Sequence, residues 1–186
     1  MGGFADRVGA LAYALTPLTV ALGTRENLLS LITGIPYQHF NFLHRWTGRI
    51  IFVQSFLHTL GWTIIEGNLY KPQPKVFVEW IRQLYMVFGI IAQILITFLY
   101  LFSIKRVVQW TGHEFFRKTH YIAGILYLGA CWGHWDKLAC WMIASIGVLF
   151  LDRGCRLLRM LIIHLKLKDA DSGMNDIPLL SDIYLG

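Results

Sequence analysis

From Leu84 to Ile104 the chain runs for twenty-one residues without a charge, with only Gln93, Thr97 and Ser103 as polar interruptions. At 1.5 Å per residue this is about 31 Å of helix, the thickness of the hydrocarbon layer of a bilayer. A single soluble core does not need several such blocks, and this chain has them. Of its 186 residues 55% are hydrophobic and only 15% charged, against about 25% charged in an average soluble domain. The expected fold is therefore all-α, a polytopic transmembrane helix bundle of about five spans.

The first expected span, Val8 to Gly23, contains Pro17, which membrane helices accept as a kink. Only Arg7 precedes it and no small-residue cleavage site follows, so it reads as a span and not a signal peptide. NLLSLITGIPYQHF reads as a short helix at the interface. The second span, Phe42 to Ile65, is unusual because His44, Arg45, Arg49 and His58 lie in otherwise apolar helix. Leu84 to Ile104 is the third, and Phe115 to Trp135, with His120 and His134, the fourth. The fifth begins near Leu138, is apolar to Leu151 and continues as the basic stretch DRGCRLLRMLIIHLKLK. Residues 1–165 are expected to form one membrane domain and 166–186 a polar, mobile C-terminal tail.

The net charge of +6 reads as topology and not as nucleic-acid binding, because the 17 Lys and Arg residues sit mostly between apolar blocks. With alternate connections assigned to alternate faces, twelve (Arg25, Arg45, Arg49, Lys105, Arg106, Arg117, Lys118, Arg153, Arg156, Arg159, Lys166, Lys168) share one side. Arg7, Lys71, Lys75, Arg82 and Lys137 share the other. The twelve mark the cytoplasmic face, so the C-terminus is expected inside. Cys131, Cys140 and Cys155 form no CxxC pair and read as small core residues. The seven tryptophans cluster near span ends, as an aromatic belt does.

The histidines carry the chemistry. His44 and His58 are fourteen residues apart, and so are His120 and His134. Fourteen helical residues make nearly four turns and rise about 21 Å, so each pair shares a helix face at two depths. Spans two and four are parallel, which lets His44 face His120 at an inner layer and His58 face His134 at an outer one. Opposed neutral imidazoles between helices are the ligand set of a six-coordinate haem that carries electrons. Two layers make two haems, with iron as the metal. Gly48, Gly61 and Gly124, three or four residues after a histidine, would leave helix surface bare for a porphyrin plate; the competing reading is close helix packing. Ala130 and Cys131 are similarly small before His134. His113, seven before His120, is the one competing ligand; His39 and His164 read as interfacial. Arg45 and Arg49 could pair with propionates of the inner group, or anchor the span at the interface; Arg82 has the same two readings at the outer one. Tyr127, seven residues from both His120 and His134, falls at mid-depth on the ligand face with Ile51 opposite. It either packs between the haems or is a core aromatic.

NFLHRWTGRIIFVQSFLHTLGW and HEFFRKTHYIAGILYLGACWGHW resemble the transmembrane core of fungal ferric reductases, a family related to the NADPH oxidase membrane domain. The likeness extends from about residue 7 to Arg159 and includes TRENLLSLITG and DRGCRLLR. It implies two haem b groups on His44, His58, His120 and His134. It implies also a flow of electrons from cytoplasmic NADPH through FAD to the inner haem, the outer haem and ferric iron outside, with the plasma membrane as the expected location. The sequence has no GxGxxG and no His-Pro-Phe flavin signature, so FAD and NADPH are expected on a missing flavoprotein domain or a partner such as a full-length homologue. Whether the chain alone is an enzyme stays open. Two other classes remain: a non-catalytic haem-binding or truncated assembly subunit, and a transporter whose histidines relay protons or bind metal.

Overall fold

The computed structural model describes residues 2–24, 33–34 and 36–175. Every regular element among them is helical. The α-helices are α1 (Gly2–Gly23), α2 (Tyr37–Ile64), α3 (Lys75–Ile81), α4 (Leu84–Phe102), α5 (Lys105–Thr111), α6 (His113–His134) and α7 (Ala139–Asn175). A π turn, Ile65–Leu69, ends α2, and a 3₁₀ turn, Asp136–Leu138, joins α6 to α7.

Two helical segments, Leu84–Phe102 and Asp136–Lys168, are long and apolar enough to cross a bilayer. Little of either is buried inside the protein: Leu84, Ile94 and Phe150 are each more than 60% exposed. Apolar helices turned outward in this way suit a lipid solvent and not water. The hydroxyls of Thr16, Thr19 and Ser145 bond back to carbonyls four residues earlier, which satisfies them within their own helices.

Helix ends differ from the sequence expectation by a few residues. Helix α1 begins at Gly2 and carries Pro17 without a break. Most of the expected interfacial helix lies outside the described residues, and its end, Tyr37 to Phe40, is the first turn of α2. The short helices α3 and α5 were hidden by charge and proline between spans. Helix α7 runs unbroken to Asn175, through the start of the segment expected as a polar tail.

The packing forms two antiparallel helix pairs, α1 with α2 and α4 with α6, and α7 lies against α1 and α6. The pairs repeat each other's contacts. Ala12 on α1 and Ala92 on α4 are both in the core, as are Ile51 on α2 and Tyr127 on α6. The Tyr13 hydroxyl of α1 donates to the Cys131 carbonyl of α6 at 2.7 Å. The counterpart contact has Gln93 of α4 accepting from Ser55 of α2 at 2.6 Å. The register is constant: α1 positions match α4 positions eighty later, and α2 positions match α6 positions seventy-six later.

Candidate functional site

The four histidines lie on α2 and α6, and their rings face each other in two pairs across the space between the halves. His44 and His120 have ring centroids 6.1 Å apart at an interplanar angle of 72°. His58 and His134 are also 6.1 Å apart, at 81°. A metal–imidazole bond of about 2.0 Å and roughly 1.1 Å from ring nitrogen to ring centre would put two imidazoles bound on opposite sides of one metal about 6.2 Å apart, centre to centre. The ring separation of each pair is close to that value.

Hydrogen bonding orients three of the rings. His44 Nδ1 donates to the Thr19 carbonyl at 2.7 Å, His58 Nδ1 to the Ala5 carbonyl at 2.8 Å, and His134 Nδ1 to the Tyr85 carbonyl at 2.8 Å. A carbonyl can only accept, so these contacts fix the proton on Nδ1 and leave Nε2 with a free lone pair, the arrangement of a metal-ligating histidine. His120 Nδ1 is buried without a partner, its ring lying 5.1 Å from that of Phe116. Among the described residues no group of three or more His, Cys, Asp or Glu side chains is placed to hold a metal ion. The donor set is two neutral imidazoles per site, which fits a metal whose remaining ligands come from a cofactor ring. A Cβ added at Gly48 or Gly124 would meet nothing within 4 Å, so helix surface beside the His44–His120 pair is open.

A family described as the ferric reductase like transmembrane component matches residues 8–131. The chain belongs to this family. The match takes in His44, His58 and His120 and ends three residues before His134. The chain is 31% identical over 157 residues to ferric/cupric reductase transmembrane component 2 of Saccharomyces cerevisiae, covering 83% of this chain and 21% of that protein. It is 33% identical to ferric reductase transmembrane component 5 of the same yeast, covering 84% and 22%. To ferric/cupric reductase transmembrane component 2 of Schizosaccharomyces pombe it is 28% identical, covering 84% and 26%. The chain thus spans about a fifth to a quarter of the length of these relatives. No solved structure matches it significantly.

In this ferric reductase transmembrane chain the other sequence-designated residues are distributed unevenly. Gly61 does not face open space: a Cβ there would lie 3.0 Å from that of Ala5, which makes it a contact of the α1–α2 crossing. Ala130 and Cys131 are buried in the core. Arg45, Arg49 and Arg82 are exposed, and the Arg49 guanidinium lies over the Trp46 ring at 5.2 Å. Tyr127 is buried beside Tyr13, Thr16 and Cys131, on the side toward α1. His113 begins α6 and, like His39 and His164, is exposed.

Sequence reasoning missed the helix surfaces behind the histidines. Gly9, Gly23 and Gly89 lie against His58, His44 and His134. A signal was present, because Gly9 and Gly23 are themselves fourteen residues apart.

Proposed function

We propose that this chain is the electron-conducting membrane core of a ferric-reductase-like oxidoreductase, with His44 and His120 holding an inner haem b and His58 and His134 an outer one. The observation that carries this reading is the pair of facing imidazoles repeated at 6.1 Å, three of the four with Nδ1 tied to a backbone carbonyl. When bound, each haem supplies a reversible one-electron couple. The protein's part would be to offer two neutral imidazoles to each group, His44 with His120 and His58 with His134, a donor set that suits electron transfer. Gly48 and Gly124 leave the inner site its lateral room, and Arg45 and Arg49 stand at its cytoplasmic end as candidate partners for carboxylates.

The reading includes five spans formed by α1, α2, α4, α6 and α7, with the C-terminus cytoplasmic and the protein in the plasma membrane. The similar yeast proteins are named as ferric or ferric/cupric reductases, and ferric iron is proposed as the acceptor on the outer side. Reducing equivalents enter at the cytoplasmic side from a flavoprotein domain or partner. A transporter reading is less well supported, since facing imidazole pairs among the described residues are not joined by a carboxylate or thiol into a larger metal group.

Reduced-minus-oxidised absorption of the purified protein tests the proposal. A b-type spectrum with two haems per chain is expected. Absence of haem, or one haem per chain, would refute the two-site conduit.

A further inference from the structure

The four imidazoles are not held alike. His58 donates to Ala5, His44 to Thr19 and His134 to Tyr85, and four residues beyond each accepting carbonyl stands a glycine: Gly9, Gly23 and Gly89. A Cβ at Gly9 would lie 2.6 Å from His58 Nδ1, one at Gly23 2.8 Å from His44 Nδ1, and one at Gly89 2.6 Å from His134 Nδ1. The coincidence has a geometric cause. In a helix the N–H of residue i+4 bonds to the carbonyl of residue i, so a ring that reaches the second lone pair of that carbonyl must pass beside residue i+4. Only a residue without a side chain lets it through.

Helix propensity alone would not select glycine at these places. Alanine is the better helix former by about 1 kcal/mol per residue. Gly9 and Gly89 lie inside α1 and α4, and Gly23 is the last residue of α1. The contact repeat locates the fourth place. The counterpart of Thr19 is Leu99 and that of Gly23 is Ser103, a residue with a side chain lying just past the end of α4. Its hydroxyl turns to the Tyr100 carbonyl at 2.7 Å, and His120 Nδ1 is the ring nitrogen left without a partner.

We infer that Gly9, Gly23 and Gly89 are positioning residues, each giving one axial histidine access to a backbone carbonyl, and that His120 is the one axial imidazole set without such a seat. The inference rests on the haem ligation proposed above. It assigns each glycine to one site: Gly9 and Gly89 to the His58–His134 pair, Gly23 to the His44–His120 pair.

The test is electron paramagnetic resonance of the oxidised, purified protein with haem-to-protein ratios measured in parallel. His44→Ala and His58→Ala first assign the two low-spin signals. Gly9→Ala and Gly89→Ala are expected to shift or remove the signal that His58→Ala removes and to leave the other. Gly23→Ala is expected to do the reverse, and Ser103→Ala to move neither. Alanine variants that change neither signal, or change both together, overturn the inference. Should the variants fail to accumulate, the wild type decides. Its redox-difference infrared spectrum with ring-¹⁵N histidine should contain bands of hydrogen-bonded Nδ1–H and one of free Nδ1–H, the latter lost in His120→Ala. Four equivalent histidines would overturn the inference. Wild-type protein that binds no haem would refute the proposed function itself, a distinct result.

Discussion

The spacing of the histidine pairs depends on how the two halves are tied, and two sets of side-chain hydrogen bonds between them can be removed one at a time. Gln93 on α4 accepts hydrogen bonds from Ser55 at 2.6 Å and Thr59 at 3.1 Å on α2, while its own amide reaches Thr97 only at 3.4 Å. Gln93→Leu removes the two good bonds. Side-chain hydrogen bonds in membrane proteins average about 0.6 kcal/mol each, so the loss is about 1.2 kcal/mol, roughly eightfold in the equilibrium between joined and parted halves. No orphan penalty is added, because the freed hydroxyls can turn to carbonyls of their own helix. Tyr13→Phe removes one bond, about 0.6 kcal/mol or roughly threefold. The Cys131 carbonyl it leaves still accepts from the Trp135 N–H at 3.2 Å. The two ties share no partner, so the double variant should lose about 1.8 kcal/mol, roughly twentyfold. The assay is transfer of haem from the detergent-solubilised protein to excess apomyoglobin, with rates expected to rise about eightfold, threefold and twentyfold. Unchanged transfer in Gln93→Leu, or a double variant no faster than the faster single one, would refute the view that these ties set the spacing.

Three other outcomes are expected. His44→Ala and His120→Ala should each lower the haem-to-protein ratio from two to about one by emptying the same site, and His58→Ala and His134→Ala by emptying the other; a ratio near two in any of them would defeat the pairing. A C-terminal tag should be cut by protease only after the membrane is permeabilised, since twelve of seventeen basic residues mark that face; cleavage in intact cells would reverse the topology. Tyr127→Ala should keep both haems yet slow transfer between them or shift a midpoint potential, and wild-type behaviour at full haem content would reduce Tyr127 to a core aromatic.

The helices that bear the histidines were legible because composition and periodicity act over whole segments. A predominantly apolar segment of about twenty residues has one stable form in lipid, and a spacing of fourteen has one meaning on a helix face. The pairing of His44 with His120 and of His58 with His134 needed one further step, that the second and fourth spans run parallel, and the structure brings both pairs of rings together. The glycines were harder to read. Gly48, Gly61 and Gly124 are alike in sequence, each a few residues after a histidine, yet Gly61 meets Ala5 while the other two face open space. Which of these applies is decided by the neighbouring helix, about which local sequence says nothing. The same holds for Gly9, Gly23 and Gly89, whose use is set by a histidine on another helix. Tyr127 shows the same limit: spacing put it on the histidine face of its helix, while its proximity to Tyr13 and Thr16 depends on where α1 lies.

The period of fourteen explains more than the ligands. In an antiparallel pair, moving fourteen residues forward along α2 means moving fourteen backward along α1. A histidine spacing on one helix therefore imposes the same spacing on the carbonyls and glycines that receive it: Thr19 and Ala5, Gly23 and Gly9, face His44 and His58. The second pair obeys the same register until α4 runs out. Helix α1 reaches Gly23 and so includes both of its glycines, whereas α4 ends at Phe102, one residue before the position its second seat would need. There the backbone tightens, the Ser103 N–H bonding to the Tyr100 carbonyl at 3.2 Å instead of continuing the α-helical pattern. The inequivalence of the two histidine pairs thus follows from a helix length and one side chain, while the histidines themselves keep the same spacing on both helices.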